Sequence, residues 1–233
     1  MTDQPMTAIV LPTAVFVNLL ADVSQAASRD EHLSMLAGVM LHTDTHKGQT
    51  VLVATATDRF TLIQGHAPVA AGPPDQRLWL TGRQVSQLRG ILRPFTTRRV
   101  AASSQLAIEL VGDMVHFRQL ALEGFAGVAL SLPIEPGEFP NVIKIAQPTE
   151  PYVPSDQPVT IDPRYLRRMA ALCRSGENVT VQFHGPAKPA WITIGDNAGS
   201  RLWAIVMPIR QESISAAPVF DPSPVKPAEE LAA

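Results

Sequence analysis

Residues 159–174, with the sequence VTIDPRYLRRMAALCR, contain a complete transition from strand to helix. A short apolar strand precedes Asp162 and Pro163, which suit the N-cap and the first turn of a helix. Apolar side chains then recur at helical spacing, at Leu166, Met169 and Leu172. This stretch therefore predicts a strand followed by an amphipathic helix that continues through about Arg174.

The same order of elements occurs twice earlier in the chain. The first copy opens with Ala8-Ile9-Val10 and Leu11-Pro12, and its predicted helix runs through about Ala27. The second copy opens with Leu78-Trp79-Leu80 and Thr81-Gly82, and its predicted helix runs through about Leu92. Strands are predicted after the helices at 50–57, 60–65, 106–111, 115–119, 128–132, 179–183, 191–194 and 202–207. Three β-α-β-β-β units predict an α+β fold with sheets on one side and helices on the other.

Proline-rich segments at 70–75 and 147–158 divide the chain. We predict one complete domain at 1–145, made of two units at about 8–70 and 76–145. A Pro-rich linker at 146–158 and a third unit at 159–210 follow it. The last segment, 211–233, contains four prolines and many small residues, and we expect it to be a disordered tail.

Composition excludes several classes of protein. The chain has 233 residues, of which 45% are hydrophobic and 17% charged, as in a folded protein. A net charge of -2 argues against DNA binding by bulk charge, although a local basic face stays possible. The single cysteine excludes an intramolecular disulfide and a multi-cysteine metal site. The N-terminus predicts no signal peptide, no uncharged run approaches 18 residues, and we expect a cytoplasmic protein without a membrane span.

No motif indicates catalysis, a cofactor or a metal site. The chain lacks a Walker A sequence, a G-x-S-x-G elbow and an H-E-x-x-H motif. His42, Asp44 and His46 alternate and could bind a metal, but an exposed hairpin tip explains them better. Cys173 lies near an apolar helix stripe and is interpreted as a small buried residue rather than a nucleophile.

Arginine is concentrated on the second and third predicted helices. A solvated helix face is the ordinary explanation for such charge. The alternative is a row of helices that presents positive charge to a phosphate backbone. The arginines of this pattern are Arg83, Arg89, Arg93, Arg164, Arg167, Arg168 and Arg174.

Four strings, in the right order, resemble the bacterial DNA sliding clamp, the beta subunit of the replicative DNA polymerase. They are 53–58 (VATATD) followed by Leu62, 137–141 (GEFPN) followed by 143–145 (IKI), 159–174, and 204–210 (AIVMPIR). The first two units resemble the middle domain of the clamp, and the third resembles the second half of its last domain. The chain would then be a shortened clamp of one and a half domains, a size that suits a phage or another mobile element.

The resemblance implies a processivity factor without chemistry of its own. Clamp domains join into a closed ring, with sheets outside and helices lining a central hole that encloses duplex DNA. The seven arginines are the expected DNA-facing residues. The resemblance also implies an apolar cleft for short linear motifs of DNA polymerase and clamp loader. By position, this cleft contains Leu36, Thr57, Leu62, Ile145, Ile205, Met207, Pro208 and Ile209. For any one of these residues considered alone, ordinary core is the better explanation.

Two departures from the clamp pattern leave alternatives open. Where clamps have Gly-His-Arg after the A-T-D element, this chain has Arg59-Phe60-Thr61, which leaves the motif preference of the cleft open. Six domains in a ring would require four chains, with each third unit paired to another chain. The alternatives are a smaller or open assembly, or a monomer that acts as an adaptor or decoy for clamp-binding peptides. An enzyme would require a polar constellation that the sequence does not contain.

Overall fold

The structure is a computed structural model of the 233-residue chain. It describes residues 8–46, 48–73, 75–97, 103–120, 127–135, 139–140, 142, 159–185, 188–196 and 199–209. The predicted linker and tail lie outside these residues.

Within the described residues, the chain forms three α-helices and eleven β-strands. The helices are α1 (Thr13–Val23), α2 (Gly82–Leu92) and α3 (Pro163–Leu172). The strands are β1 (Ile9–Pro12), β2 (Gly38–His46), β3 (Gln49–Thr57), β4 (Thr61–Pro68), β5 (Arg77–Thr81), β6 (Gln105–Val111), β7 (Met114–Gln119), β8 (Ala129–Pro133), β9 (Asn178–Gln182), β10 (Ala190–Asp196) and β11 (Gly199–Val206).

The helices begin where the sequence predicts that they begin. The Thr81 hydroxyl accepts a hydrogen bond from the Gln84 amide at 3.2 Å, and the Gln84 side chain accepts one from the Thr81 amide at 2.9 Å. This capping box satisfies amides at the start of α2. At α3, the Asp162 carboxylate accepts from the Arg164 amide at 2.8 Å, and Pro163 occupies the first helical position. Predicted α1 is shorter than expected, because its last residues form a 3₁₀ segment, Ser24–Ala26.

The described strands form two antiparallel sheets. The four-stranded sheet has the order β1-β6-β7-β8, and the seven-stranded sheet has the order β5-β2-β3-β4-β11-β10-β9. The third unit therefore extends the sheet of the first unit through the β4–β11 pair. The first two units also exchange their opening strands, because β1 pairs with β6 of the second unit and β5 pairs with β2 of the first.

The main hydrophobic core lies between the helices and one face of the sheets. Phe16 of α1 and Leu88 of α2 are fully buried in it, together with Leu41 of β2 and Ile63 of β4. The Phe16 ring lies 5.9 Å from the ring of Phe117, measured between centroids. Because Phe117 belongs to β7, this contact joins the first unit to the sheet of the second.

One predicted strand, at 159–161, is not a strand in the structure, and one observed strand was not predicted. Residues 159–162 have no regular secondary structure, although 159–161 were predicted as a strand that opens the third unit. The described residues contain no strand edge that pairs with this segment. The sequence also missed β2, whose second half is polar and exposed at Asp44, Thr45 and His46. His42 and its neighbours therefore lie along a strand and not only at a hairpin tip.

Candidate partner cleft and inter-unit junction

Three of the predicted cleft residues lie side by side across the junction of the first and third units. Thr57 of β3 is paired with Leu62 of β4, and Leu62 is paired with Ile205 of β11. All three side chains are nearly buried. The Thr57 hydroxyl donates a hydrogen bond to the carbonyl of Thr61 at 2.8 Å, so its polar group is satisfied.

Leu62 and Ile205 belong to a second, smaller hydrophobic cluster. Leu62, Ile205 and Val142 are buried together, and Phe139, Trp191 and Trp203 pack against them. The neighbouring residues in sequence, Ile63 and Ala204, belong to the main core. Because successive side chains of a strand point to opposite faces, this Leu62 cluster lies on the face that is away from the helices.

Two exposed apolar residues, Phe60 and Met207, stand two positions along the chain from Leu62 and Ile205. Met207 is 36% exposed, and Phe60 is 52% exposed. The Met207 amide donates a hydrogen bond to the Phe60 carbonyl at 2.8 Å, which places the two residues next to each other. Pro208 and Ile209 follow Met207 and are half-buried. An apolar cluster with exposed Met and Phe beside it can accept an apolar anchor of a peptide.

The structure does not bring all eight predicted residues together. Leu36 is buried in the 3₁₀ segment Glu31–Leu36 and is not part of the Leu62 cluster. Ile145 lies outside the described residues. Conversely, Phe60 was not predicted to line the cleft. Its signal in the sequence was a bulky apolar residue at the position where the clamps that the chain resembles have His.

The turn between β3 and β4 keeps a backbone conformation that favours glycine. Arg59 has a φ of 78° and stands where clamps have Gly. Asp58 stabilises this turn, because its carboxylate accepts hydrogen bonds from the amides of Phe60 (3.1 Å) and Thr61 (2.7 Å). The Arg59 guanidinium lies 5.9 Å from the centre of the Phe60 ring. The turn therefore presents Phe60 with Arg59, rather than glycine, in its left-handed position.

An ion pair connects this turn to α3. Arg168 donates to the Asp58 carboxylate at 2.8 Å and to the Thr61 hydroxyl at 2.6 Å. Burial acts to raise the pKa of Asp58, but the hydrogen bonds from Arg168 and Thr61 outweigh it and hold this pKa below its usual value. The charge of Arg168 is thus compensated within the chain, although Arg168 was predicted to face DNA.

A second ionic cluster joins α1 to the third unit. Arg201 of β11 donates to both carboxylate oxygens of Glu177, at 2.6 and 2.8 Å, and also contacts the Asp22 carboxylate. Arg174 donates to the same carboxylate of Asp22 at 2.7 Å. Hydrogen bonds from Arg201 lower the pKa of Glu177 to about 2, whereas burial raises the pKa of Asp22 despite its two arginine partners. Sequence reasoning did not identify Arg201, Glu177 or Asp22 as a group.

The seven predicted DNA-facing arginines fall into two sets. Arg164, Arg168 and Arg174 form ion pairs with Asp162, Asp58 and Asp22. The other four are exposed to solvent on α2, at its end and on α3, and they are Arg83, Arg89, Arg93 and Arg167.

The remaining polar candidates are His42, Asp44, His46 and Cys173. Among the described residues, no group of three metal-binding side chains is close enough to hold an ion. Burial lowers the pKa of His42 and raises that of the half-buried Cys173 thiol. In the same part of the chain, no helix has the length and apolar character needed to span a membrane.

Comparison with solved structures identifies the fold as that of bacterial DNA sliding clamps. The pol III beta protein of Caulobacter crescentus matches with a TM-score of 0.64 and 16% identity, covering 90% of this chain and 68% of that one. The beta subunit of DNA polymerase III from Thermotoga maritima gives 0.68 and 15%, covering 90% and 67%. A putative beta subunit from Eubacterium rectale gives 0.70 and 9%, covering 91% and 69%. No protein-family model matches the sequence, and no curated protein matches it.

Proposed function

We propose that the chain is a DNA sliding clamp, a processivity factor that encircles duplex DNA and tethers a DNA polymerase. The observation that supports this most is the sliding-clamp fold together with the Leu62 cluster, which lies where two units share one sheet. The proposed role requires no catalysis. It requires a surface for phosphates, a cleft for partner motifs and a closed assembly.

The surface for DNA consists of the four exposed arginines, Arg83, Arg89, Arg93 and Arg167. Contacts to phosphate are independent of sequence, which suits a protein that slides. Arg168 and Arg174 contribute less, since their charges are compensated by Asp58 and Asp22. The cleft for polymerase and clamp loader is the Leu62 cluster with Phe60 and Met207.

DNA binding by the four arginines is tested with a variant in which all four are alanine. We expect weaker binding to duplex DNA and a shallower salt dependence, with the slope of log K against log salt reduced by up to about 3–4. The matched control compares single variants, Arg89→Ala on α2 and Arg77→Ala on β5, since both arginines are exposed. If Arg77→Ala lowers affinity as much as Arg89→Ala, or if the four-site variant does not lower it, α2 and α3 do not form the DNA surface.

The oligomeric state distinguishes a sliding clamp from the alternative function, an adaptor or decoy. A ring requires several chains, and six domains correspond to four chains of one and a half domains each. A stable monomer that still binds clamp-binding peptides would instead be an adaptor or decoy.

A further inference from the structure

Within the complete domain, each unit gives its opening strand to the sheet of its sister unit. The two exchanges use the same register. Pro12, the residue that precedes α1, is paired with Gln105, the first residue of β6, and Thr81, which precedes α2, is paired with Gly38, the first residue of β2. In each unit, the first strand after the helix, β2 or β6, is therefore paired with the opening strand of the other unit.

The third unit has the same parts, but the described residues contain no sister unit for it. Strand β9 is equivalent to β2 and β6, since each is the first strand after its helix, and no described strand pairs with its outer edge. Its second residue, Val179, is 41% exposed, whereas the equivalent Val39 and Leu106 are both fully buried at 0%. Val179 therefore occupies a position that is buried in the other two units, but here a large part of its side chain is exposed.

Helix α3 leads independently to the same conclusion. Leu166 is the fourth residue after the cap of α3, and Phe16 and Val85 occupy this position in α1 and α2. Phe16 and Val85 are 0% and 2% exposed, but Leu166 is 45% exposed. The Phe16–Phe117 contact shows what fills this position in the complete domain, namely a side chain from the sheet of the sister unit.

The third unit also has a segment that could serve as an opening strand. Val159, Thr160 and Ile161 come directly before Asp162, the cap of α3. Strands β1 (Ile9–Pro12) and β5 (Arg77–Thr81) have the same place in their units, since each ends at the cap of its helix. Three β-branched residues favour a strand. In the structure these three residues do not form a strand. The Thr160 carbonyl accepts a hydrogen bond from the Ile209 amide at 2.8 Å.

We propose that the third units of two copies pair about a twofold axis and exchange these strands. In the register that the chain already uses twice, Ile161 of one copy lies opposite Val179 of the other, and Val159 lies opposite Val181. The exchange adds an eighth strand that continues the seven-stranded sheet, and it buries Val179 and Leu166. Each copy supplies what the other lacks, as in an isologous interface.

The exchange rests on the fold alone, whereas its consequence for a ring rests on the proposed clamp function. Two chains would complete three domains, and the free ends of this dimer would be the β8 strands. Strand β8 is equivalent to β4, which pairs with β11 of the next unit, but no described strand covers the outer edge of β8. Antiparallel pairing of β8 strands between two dimers would close a ring of six domains from four chains, with identical front and back faces.

The register is tested by a disulfide trap in the full chain, on a Cys173→Ser background. Cysteines at Ile161 and Val179 would lie opposite each other on antiparallel strands, with Cα atoms about 4.5–5.5 Å apart, within disulfide range. We expect oxidation to give a covalent dimer. The matched control pairs Thr160→Cys with Val179→Cys, whose side chains would lie on opposite faces of the sheet, and we expect it to remain uncrosslinked. An intrachain bridge, or equal crosslinking of both variants, would overturn the proposal.

The interface is tested by solution mass, which does not depend on DNA binding. We expect about four times 25.2 kDa for the natural chain and half of this mass or less for a variant with Leu166→Asp and Val179→Asp. Val111→Asp is the control, since Val111 is 58% exposed at a hairpin far in sequence from the third unit, and it should leave the mass unchanged. A monomeric natural chain would overturn the exchange even if DNA binding were intact. So would an unchanged mass in a folded double variant.

Discussion

Replacing Phe60 and Met207 with alanine should weaken peptide binding without unfolding the protein. Burying a whole Phe or Met side chain gains about 1.5–3 kcal/mol. About half of Phe60 and a third of Met207 remain exposed, so a docked peptide can gain about 0.8–1.6 and 0.5–1.1 kcal/mol from them. The double variant should therefore bind roughly 10- to 100-fold more weakly.

The assay is fluorescence anisotropy with a labelled clamp-binding peptide, accompanied by thermal unfolding of each variant. Val111→Ala is the control, because Val111 is exposed and apolar but lies outside the Leu62 cluster. Leu62→Ala is less useful, since it removes a buried side chain and destabilises the sheet. Unchanged affinity in a folded double variant would refute the location of the cleft.

Four further predictions concern the junction, a strand and helix α2. Arg168→Ala should lower the free energy of unfolding by about 1–3 kcal/mol, because Asp58 loses a charged hydrogen bond, and a double-mutant cycle with Asp58→Asn should show the coupling. Because folding lowers the pKa of Glu177 from 4.5 to about 2, its contribution to stability is complete above pH 4.5 and is lost as the pH falls towards 2; acid titration of unfolding checks this, and Glu177→Gln should flatten it. Gly38→Ala should destabilise the protein, since its Cβ would lie 2.2 Å from the Leu80 carbonyl oxygen, whereas Gly90→Ala on α2 should stabilise it by about 0.5–1 kcal/mol in thermal unfolding.

Local signals predicted much of the fold. The caps at Thr81 and Asp162 form hydrogen bonds with residues two or three positions away. Both partners therefore lie in one short stretch of sequence, and the helix start can be predicted from that stretch. The alternation of Leu62 and Ile63 between two apolar environments likewise follows from strand geometry. These elements could be located before their neighbours in space were known.

Interactions between distant residues were not predictable in this way. Asp58 and Arg168 are 110 residues apart, and Asp22 and Arg201 are 179 apart. In the sequence, an arginine that faces DNA and one that neutralises a carboxylate look the same. The exchange of opening strands was missed for a related reason, because β-propensity indicates a strand but not the edge with which it pairs.

Encirclement of DNA is tested most directly by topological retention on a covalently closed circle. The protein is mixed with the circle, and its chains are cross-linked to one another but not to the DNA. The sample is washed in high salt, and half of it is then cut once with a restriction enzyme. A clamp should stay on the intact circle in high salt, which removes contacts to phosphate, and should leave the linear product. Release from the intact circle, or equal retention on both forms, would contradict a ring around DNA.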